Sequence, residues 1–303
     1  MEEKKLDKNS IIGFILIFGI LLWIMYQNQP KPEEIAAEKA KKEQIQKAQK
    51  AKEAVAKQAA VVVADTTATS TEKLQKLQGT LGSFAYSASL PTAKEGTTTI
   101  ENDLVKLTIS NKGGFISEAT LKKFDKIKKN SGELVSLIKN NNANFNLELQ
   151  TKDNRVLNTK DLFFEPTLTK VGENQVLSMK LKTGANEFLE YKYVLKPNDY
   201  MVDFDLRSQG LNTALNTTKP ADLQWDLKSY RNEKSVSYEN RYAEIYYEHD
   251  GGKVDYAGLG KQEDEVLEKA SFIAFKQHLF TSILLTQSPI DNVKVSSTDL
   301  VND

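Results

Sequence analysis

The sequence of 303 residues contains no cysteine and only two histidines, His249 and His278. The lack of cysteine excludes disulfide exchange, thiol catalysis and thiolate metal sites, and two histidines leave little for a zinc centre. An exported domain of this size can fold without disulfides, so the composition fits a place outside the cytoplasm. We therefore expect no metal site and no cofactor.

Arginine is also scarce, and it occurs only at Arg155, Arg207, Arg231 and Arg241. Lysine supplies the rest of the positive charge, and the formal net charge at neutral pH is zero. Arginine is the better clamp for phosphate groups, and a chain without net charge exerts no long-range attraction on polyanions. Nucleic-acid binding is therefore not expected.

One long apolar run is present, from Ile11 to Tyr26, and it contains no charged residue. A helix of this length covers about 24 Å, and Ser10 and Gln27 can extend it toward the roughly 30 Å of a bilayer core. The run has no polar face, which a helix at the surface of a soluble domain would have. It predicts a transmembrane helix over residues 11–27. The residues expected to anchor it in lipid are Ile11, Phe14, Leu16, Phe18, Leu21, Trp23 and Tyr26.

The residues that follow the run argue against its removal as a signal peptide. The segment Tyr26–Pro30 is too bulky for a site of the A-x-A type, and no lipoprotein cysteine follows. We interpret the run as an uncleaved anchor, with residues 1–10 in the cytoplasm and the long remainder outside. Lysines flank the run on both sides, so the charge balance alone does not set this orientation.

Residues 28–79 are interpreted as a linker. From Glu33 to Ala60 they are almost entirely Ala, Lys, Glu and Gln, which favour helix but form no coiled-coil seam here. The following "ADTTATST" is typical of disordered segments. The linker is therefore predicted to be helical in part and disordered in part. The apolar residues that then recur at helical spacing, and that we expect to pack on the next domain, are Leu74, Leu77, Leu81 and Phe84.

Residues 80–303 are predicted to form one all-β domain. From about Ile100 onward apolar and polar residues alternate, which is typical of half-buried antiparallel strands, and turn signals such as "NKGG" and "KPND" separate the runs. Strands with one apolar face need a second layer, so the pattern predicts a two-sheet antiparallel β-sandwich. The alternating apolar positions are Val105, Leu107, Ile109, Phe145, Leu147, Leu149, Leu177, Met179, Leu181, Leu189, Tyr191, Tyr193, Leu195, Val202, Phe204, Leu206, Leu223, Trp225 and Leu227.

Asp203 and Asp205 form a carboxylate pair on a single strand face, an arrangement that glycosidases use. They alternate with apolar residues, so they are expected on the solvated face opposite the core. Tyrosines between Tyr230 and Tyr256 could bind sugars or peptides, but they suit the packing of a long loop better. "HDGGKVD" lacks the spacing of a calcium loop. No catalytic residue is predicted.

Four stretches occur in a familiar order: "KNSIIGFILIFGILLWIMYQNQP", "IENDLVKLTISNKGGFISEATLKKF", "EYKYVLKPNDYMVDFDLR" and "FIAFKQHLF". In order and spacing they resemble the bacterial membrane protein insertases of the Oxa/YidC/Alb family, in the form found in Bacteroidetes. The resemblance covers the anchor and the domain from about Thr80 to the end. The linker is similar only in its general type. No single stretch is diagnostic by itself.

The resemblance implies a first transmembrane helix, then a large periplasmic domain with a twisted β-sandwich similar to mutarotase folds, in the bacterial inner membrane. In the family a five-helix domain follows, whose hydrophilic, positively charged groove receives polar parts of nascent membrane proteins, alone or with the Sec translocon. No covalent chemistry is implied, so we expect no enzyme. The sequence ends at Asp303 with one apolar span, so we expect it to represent the N-terminal part, and no groove residue of the family can be assigned.

Two other functions stay open from the residues. The chain could be a stand-alone tethered periplasmic module that binds a peptide, a glycan or an envelope protein. It could also be an enzyme of the mutarotase type, which would need histidine and carboxylates in one cleft. His249 in a predicted turn and His278 on a predicted strand do not indicate such a cleft.

The resemblance also generates a prediction about solubility. The family's domain continues past "FIAFKQHLF", so we expect the end of the chain to fall inside the sandwich and to leave an open sheet edge, which favours association. Residues 100–303 alone should therefore self-associate in sedimentation velocity experiments. A monomeric sample with one sharp, cooperative melting transition would contradict this.

Overall fold

A computed structural model describes residues 70–127, 131–258 and 263–297, together with Phe18 and Trp23. Phe18 and Trp23 are helical and exposed. No helix in these described ranges is long and apolar enough to cross a membrane. The other predicted anchor residues lie outside the described residues: Ile11, Phe14, Leu16, Leu21 and Tyr26.

The described chain is mostly β-structure, arranged in four antiparallel sheets. The strand orders are β1-β2-β3-β4, β10-β9-β8-β7, β11-β5-β6 and β13-β12-β14-β15. The strands are β1 (Thr97–Glu101), β2 (Val105–Ser110), β3 (Ile116–Asp125), β4 (Leu134–Ile138), β5 (Ala143–Gln150), β6 (Val156–Asn158), β7 (Glu165–Val171), β8 (Asn174–Lys182), β9 (Phe188–Leu195), β10 (Val202–Gln209), β11 (Asp222–Leu227), β12 (Glu244–His249), β13 (Lys253–Gly258), β14 (Glu263–Lys276) and β15 (Thr281–Ser297). The helices are α1 (Ser70–Leu81), α2 (Ala85–Ser89) and α3 (Val236–Tyr242).

The centre of the core is formed by strands β8 and β9. Their register places Leu177 opposite Tyr193 and Met179 opposite Tyr191, and all four side chains are buried. Burial alternates along β9 as the period of two predicts. One continuous cluster joins these residues to apolar side chains from the first three sheets. The antiparallel all-β prediction is therefore confirmed, and the shared core is consistent with a sandwich.

Two expected core positions are exposed. Leu206 on β10 is 50% exposed and Leu223 on β11 is 40% exposed, although both belong to alternating runs. Each lies on the edge strand of its sheet, and the second half of β10 is exposed throughout. Alternation predicts which face of a strand a residue occupies, whereas burial also requires a facing layer, which these positions lack.

Helix α1 joins the sheets through the apolar stripe that the spacing predicts. Leu77, Leu81 and Phe84 are buried in the main core, while Leu74 remains partly exposed. The side chain of Arg155 donates a hydrogen bond of 3.0 Å to the Gly79 carbonyl, which ties the helix to the loop after β5. The segment before the first strand is therefore part of the packed domain.

The sheet formed by β12 to β15 has its own smaller core, built around Ile245, Tyr247 and Leu267. Its edge strand β15 pairs, within the described chain, only with β14. From Thr281 to Ile290 this edge carries no charged side chain. Natural sheets commonly protect an exposed edge with charges, so β15 is the least protected edge of this sheet.

The "NKGG" segment forms the predicted turn, and Gly114 in it faces the core. Its φ is +67°, and a Cβ added there would lie 3.0 Å from the ring of Phe164. Its carbonyl accepts a hydrogen bond of 2.7 Å from the buried Tyr193 hydroxyl. Glycine is required here both by the positive φ and by the close approach of the aromatic ring.

We expect Gly114→Ala to destabilise the domain by about 2–4 kcal/mol, since it adds backbone strain and displaces Phe164. Gly172→Ala is the matched control, because Gly172 also has a positive φ but nothing lies within 4 Å of its added Cβ. That variant should lose only about 1 kcal/mol. Urea unfolding of the full chain, followed by circular dichroism, measures both values. Equal losses would contradict the role of Phe164.

A buried hydroxyl links the sheets at the end of β6. Thr159 Oγ1 accepts hydrogen bonds from the Leu147 amide at 2.8 Å and from the Tyr191 hydroxyl at 3.1 Å. Thr159 and Tyr191 are both fully buried. Burial raises the pKa of Tyr191 to about 12, because the phenolate would lose its hydration. Burial also raises the pKa of Tyr193.

These shifts predict a loss of stability at alkaline pH. The pKa of Tyr191 is higher in the folded state than the ordinary 10.0, so its contribution is complete below pH 10 and is lost as the pH rises toward 12. Tyr191→Phe should make the decline of unfolding free energy shallower by up to roughly 1.4 kcal/mol per pH unit. Tyr86→Phe, at an exposed position, is the control and should leave the slope unchanged. A wild-type slope in Tyr191→Phe would refute the prediction.

Candidate functional site: an apolar groove

The carboxylate pair on β10 lies on the solvated face, as the alternation predicts. Asp203 forms an ion pair with Lys196 at 2.8 Å, and Asp205 forms one with Arg207 at 3.1 Å. Both acids point away from the core residues Val202 and Phe204, which pack against the main cluster. Paired, hydrated carboxylates of this kind do not form a glycosidase centre.

The two histidines lie in different surroundings. His249 ends β12 and contacts Asp250 at 3.2 Å. His278 was predicted on a strand, and this was wrong, because it lies in the turn between β14 and β15. Its Nδ1 is 2.6 Å from Oε1 of Glu233, and its ring packs against Tyr238 and Tyr242. Within the described ranges, no group of three or more acidic or histidine side chains could hold a metal ion.

One concave feature of the described domain is an apolar groove of about 480 Å³. One edge strand from each of the four sheets contributes to it, namely β4, β10, β11 and β15. Their contributions include Leu137, Phe204, Trp225 and Ile283. The volume falls within the roughly 300–1,000 Å³ typical of small-molecule sites. Inner strands such as β3 and β5 line it as well. The groove is therefore a product of tertiary assembly.

The groove has a buried floor and an exposed mouth. Leu107 and Tyr193 on the floor are buried, whereas Leu279 at the mouth is 65% exposed. At the mouth the ring of Phe124 packs edge to face on Phe280, with centroids 5.4 Å apart. A cluster of exposed apolar side chains beside a cavity is typical of a ligand or partner site.

A buried polar network holds the β14–β15 turn at the mouth. Gln277 Nε2 donates hydrogen bonds to Glu239 Oε1 at 3.0 Å and to the Tyr230 carbonyl at 2.7 Å. Glu239 also accepts from the Asn232 amide at 3.0 Å. Burial raises the pKa of the Glu239 carboxyl. Because the Gln277 amide donates to the Phe280 carbonyl at 2.7 Å, the network fixes the turn that carries Leu279 and Phe280.

The tyrosines from Tyr230 to Tyr256 were expected to pack a long loop, but this segment contains α3, β12 and β13, and Tyr238 and Tyr256 are exposed. Tyr247 is buried in the smaller core, and Tyr246 stacks on Tyr256 with centroids 5.4 Å apart. Sequence reasoning missed the groove, since its lining is drawn from positions 105 to 284. The one local signal was the apolar excess of "FIAFKQHLF", whose last residues form the mouth.

Comparison with known proteins agrees with this architecture. The family model of the YidC periplasmic domain matches residues 97–301. The chain is 32% identical over 299 residues to the membrane protein insertase YidC of Parabacteroides distasonis, covering 96% of this chain and 46% of that protein. For the insertase YidC of Phocaeicola vulgatus the identity is 31% over 298 residues, covering 97% and 45%.

A third relative, the membrane protein insertase YidC of Porphyromonas gingivalis, is 32% identical over 295 residues, covering 96% of this chain and 45% of that protein. The chain thus spans less than half the length of the curated relatives it matches. The family match nevertheless extends from β1 through β15, and so includes every strand that lines the groove. The family expectation from the sequence is confirmed, and the chain belongs to the YidC periplasmic domain family.

Proposed function

We propose that this chain is the N-terminal part of a membrane protein insertase and chaperone, which inserts inner-membrane proteins and helps them fold, alone or with the Sec translocon. The observation that carries the proposal is the match of residues 97–301 to the YidC periplasmic domain. The name of the relatives, membrane protein insertase, suggests the activity. The partners would be the lipid bilayer and nascent membrane proteins.

In this proposal residues 11–27 form a permanent span of the bacterial inner membrane, with residues 1–10 in the cytoplasm. Residues 28–79 form the linker, whose last turns belong to helix α1 and pack on the domain through Leu77. Residues 80–303 form the periplasmic domain, a large twisted two-sheet sandwich of the mutarotase-like kind. The uncharged apolar run supports the span. The antiparallel sheets that share a core support the sandwich.

An insertase of this kind needs no covalent chemistry. The barrier to insertion is the free energy of moving polar groups through hydrocarbon, and non-covalent contacts can lower it. The polar clusters described in this domain are ion pairs or networks that stabilise the fold, such as Glu239 with Gln277. The groove offers an apolar contact surface instead. A non-enzymatic role therefore agrees best with the site.

A second candidate is a stand-alone module, tethered to the membrane, that binds a peptide, a glycan or an envelope protein in the periplasm. The observation that favours it is the groove itself, which is lined by aromatic side chains such as Phe124 and Trp225. This candidate requires no insertase activity, so the two candidates predict different results when the protein is removed from cells.

The insertase proposal is tested by depleting the protein from the source bacterium. A small inner-membrane protein with one short periplasmic loop is pulse-labelled, and the loop is probed with protease added to spheroplasts. We expect the protease-accessible fraction to fall at least fivefold on depletion, because the polar loop no longer crosses the membrane efficiently. Plasmid-borne wild-type protein should restore it.

Export of a soluble periplasmic enzyme is the control, since it requires no insertion. Unchanged loop accessibility for a panel of such reporters, with depletion verified by immunoblotting, would refute the insertase proposal. If photo-crosslinking at Leu279 then captured one envelope protein, the tethered-module candidate would take its place. Crosslinking at Val171, exposed on β7 outside the groove, is the matched negative position.

A further inference from the structure

The first residues of β15 form a regular strand at an open sheet edge. Thr281 to Leu285 pair in unbroken register with Lys276 to Phe272 of β14. In an antiparallel strand the N–H and C=O groups of alternate residues point to opposite sides, so half of them point away from β14. Within the described ranges no strand pairs with that side of β15. The edge can therefore add one more strand.

The side chains of this edge are apolar on both faces. Ile283 is 39% exposed and Leu285 is 61% exposed, and the alternation of the strand places them on one face. Leu284 lies on the other face, opposite Ile273, which packs against the smaller core. An added strand would cover the first two side chains and would extend the smaller core beside the third.

The sequence of this edge is complementary to itself about Leu284. When two copies of one strand pair antiparallel about a two-fold axis perpendicular to the sheet, the residues on either side of the axis face one another in reverse order. The facing pairs for an axis at Leu284 are Leu284 with Leu284, Ile283 with Leu285, Ser282 with Thr286 and Thr281 with Gln287. Every apolar residue meets an apolar residue, and every polar residue meets a polar one.

The two nearest alternative registers lack this match. An axis at Ile283 would place Leu285 against Thr281, and an axis at Leu285 would place Ile283 against Gln287. Like charges that face one another across strands destabilise a sheet, and a two-fold axis brings each charge near its own copy. The edge has no charged side chain from Thr281 to Ile290, so it avoids this repulsion. The pattern therefore favours a second copy of this chain as the added strand.

We propose that two copies of this chain pair through β15 about a two-fold axis at Leu284, which joins their last sheets into one continuous sheet. Ser282, Ile283 and Leu284 also line the apolar groove, so the pairing places the rims of two grooves side by side. The proposal assigns the self-association expected from the sequence to one strand and one register. It does not depend on insertase activity, because a tethered module could pair in the same way.

Disulfide crosslinking tests the register directly, because the chain contains no cysteine. Facing residues of an antiparallel pair have Cα atoms about 4.5–5.5 Å apart, which is within disulfide range. The full chain carrying Leu284→Cys is oxidised in membranes of cells that produce it, and should then run at twice 34.0 kDa on a non-reducing gel. Val171→Cys, exposed on the edge strand β7, is the matched control and should give about fivefold less of this product or lower.

A charge-pair rescue separates this register from non-specific association. Leu285→Glu places an anion against Ile283 of the second copy, and should raise the dimer dissociation constant about tenfold or more in sedimentation equilibrium. Adding Ile283→Lys sets each new lysine opposite a new glutamate, and should bring the constant back to within about threefold of the wild-type value. Val266→Lys with Leu285→Glu is the control, because it makes the same charges at an exposed position of β14 away from the axis, and should give no rescue.

Circular dichroism and melting temperature verify that each variant is folded. The proposal is wrong if the wild-type chain sediments as a monomer, or if Leu284→Cys crosslinks no better than Val171→Cys. It is also wrong if Ile283→Lys fails to rescue a folded Leu285→Glu chain. A crosslinked product whose mass is not twice that of the chain would assign the edge to a different polypeptide and would equally overturn the self-pairing.

Discussion

The structure depends on the burial of the cross-strand apolar pairs between β8 and β9. Leu177 with Tyr193 and Met179 with Tyr191 lie at the centre of the main core, where full burial of each such side chain contributes roughly 1.5–3 kcal/mol. The Tyr191 hydroxyl, which cannot be buried unpaired, bonds Thr159 and thereby fixes the neighbouring sheet. The facing layer covers the central strands, so edge strands such as β10 and β11 are only partly covered. The groove lies beside these edges and is lined by inner strands such as β3 and β5 as well.

This arrangement explains how much of the fold could be predicted from the sequence. The period of two along β9 is a local property, so strand existence and the buried face of Leu189 and Leu195 follow from it. Coverage by another layer is a tertiary property that local alternation does not report. Leu206 and Leu223 were therefore expected to be buried, whereas the structure leaves them exposed. The turn at His278 was missed because "KQH" contains no glycine, proline, asparagine or aspartate to signal a turn. The bonds of Gln277 to Tyr230 and Glu239 hold the chain there, and they are tertiary contacts.

The groove could not be predicted at all by local reasoning. Phe124, Phe204, Trp225 and Leu279 are far apart in the chain, and each reads separately as an ordinary strand or loop residue. The sequence pattern drew attention to two polar residues, Asp203 and Asp205. In the structure each forms an ion pair at the surface. Surface pairs contribute about 0–1 kcal/mol each, so conspicuous charges were less informative here than an apolar excess without an obvious partner.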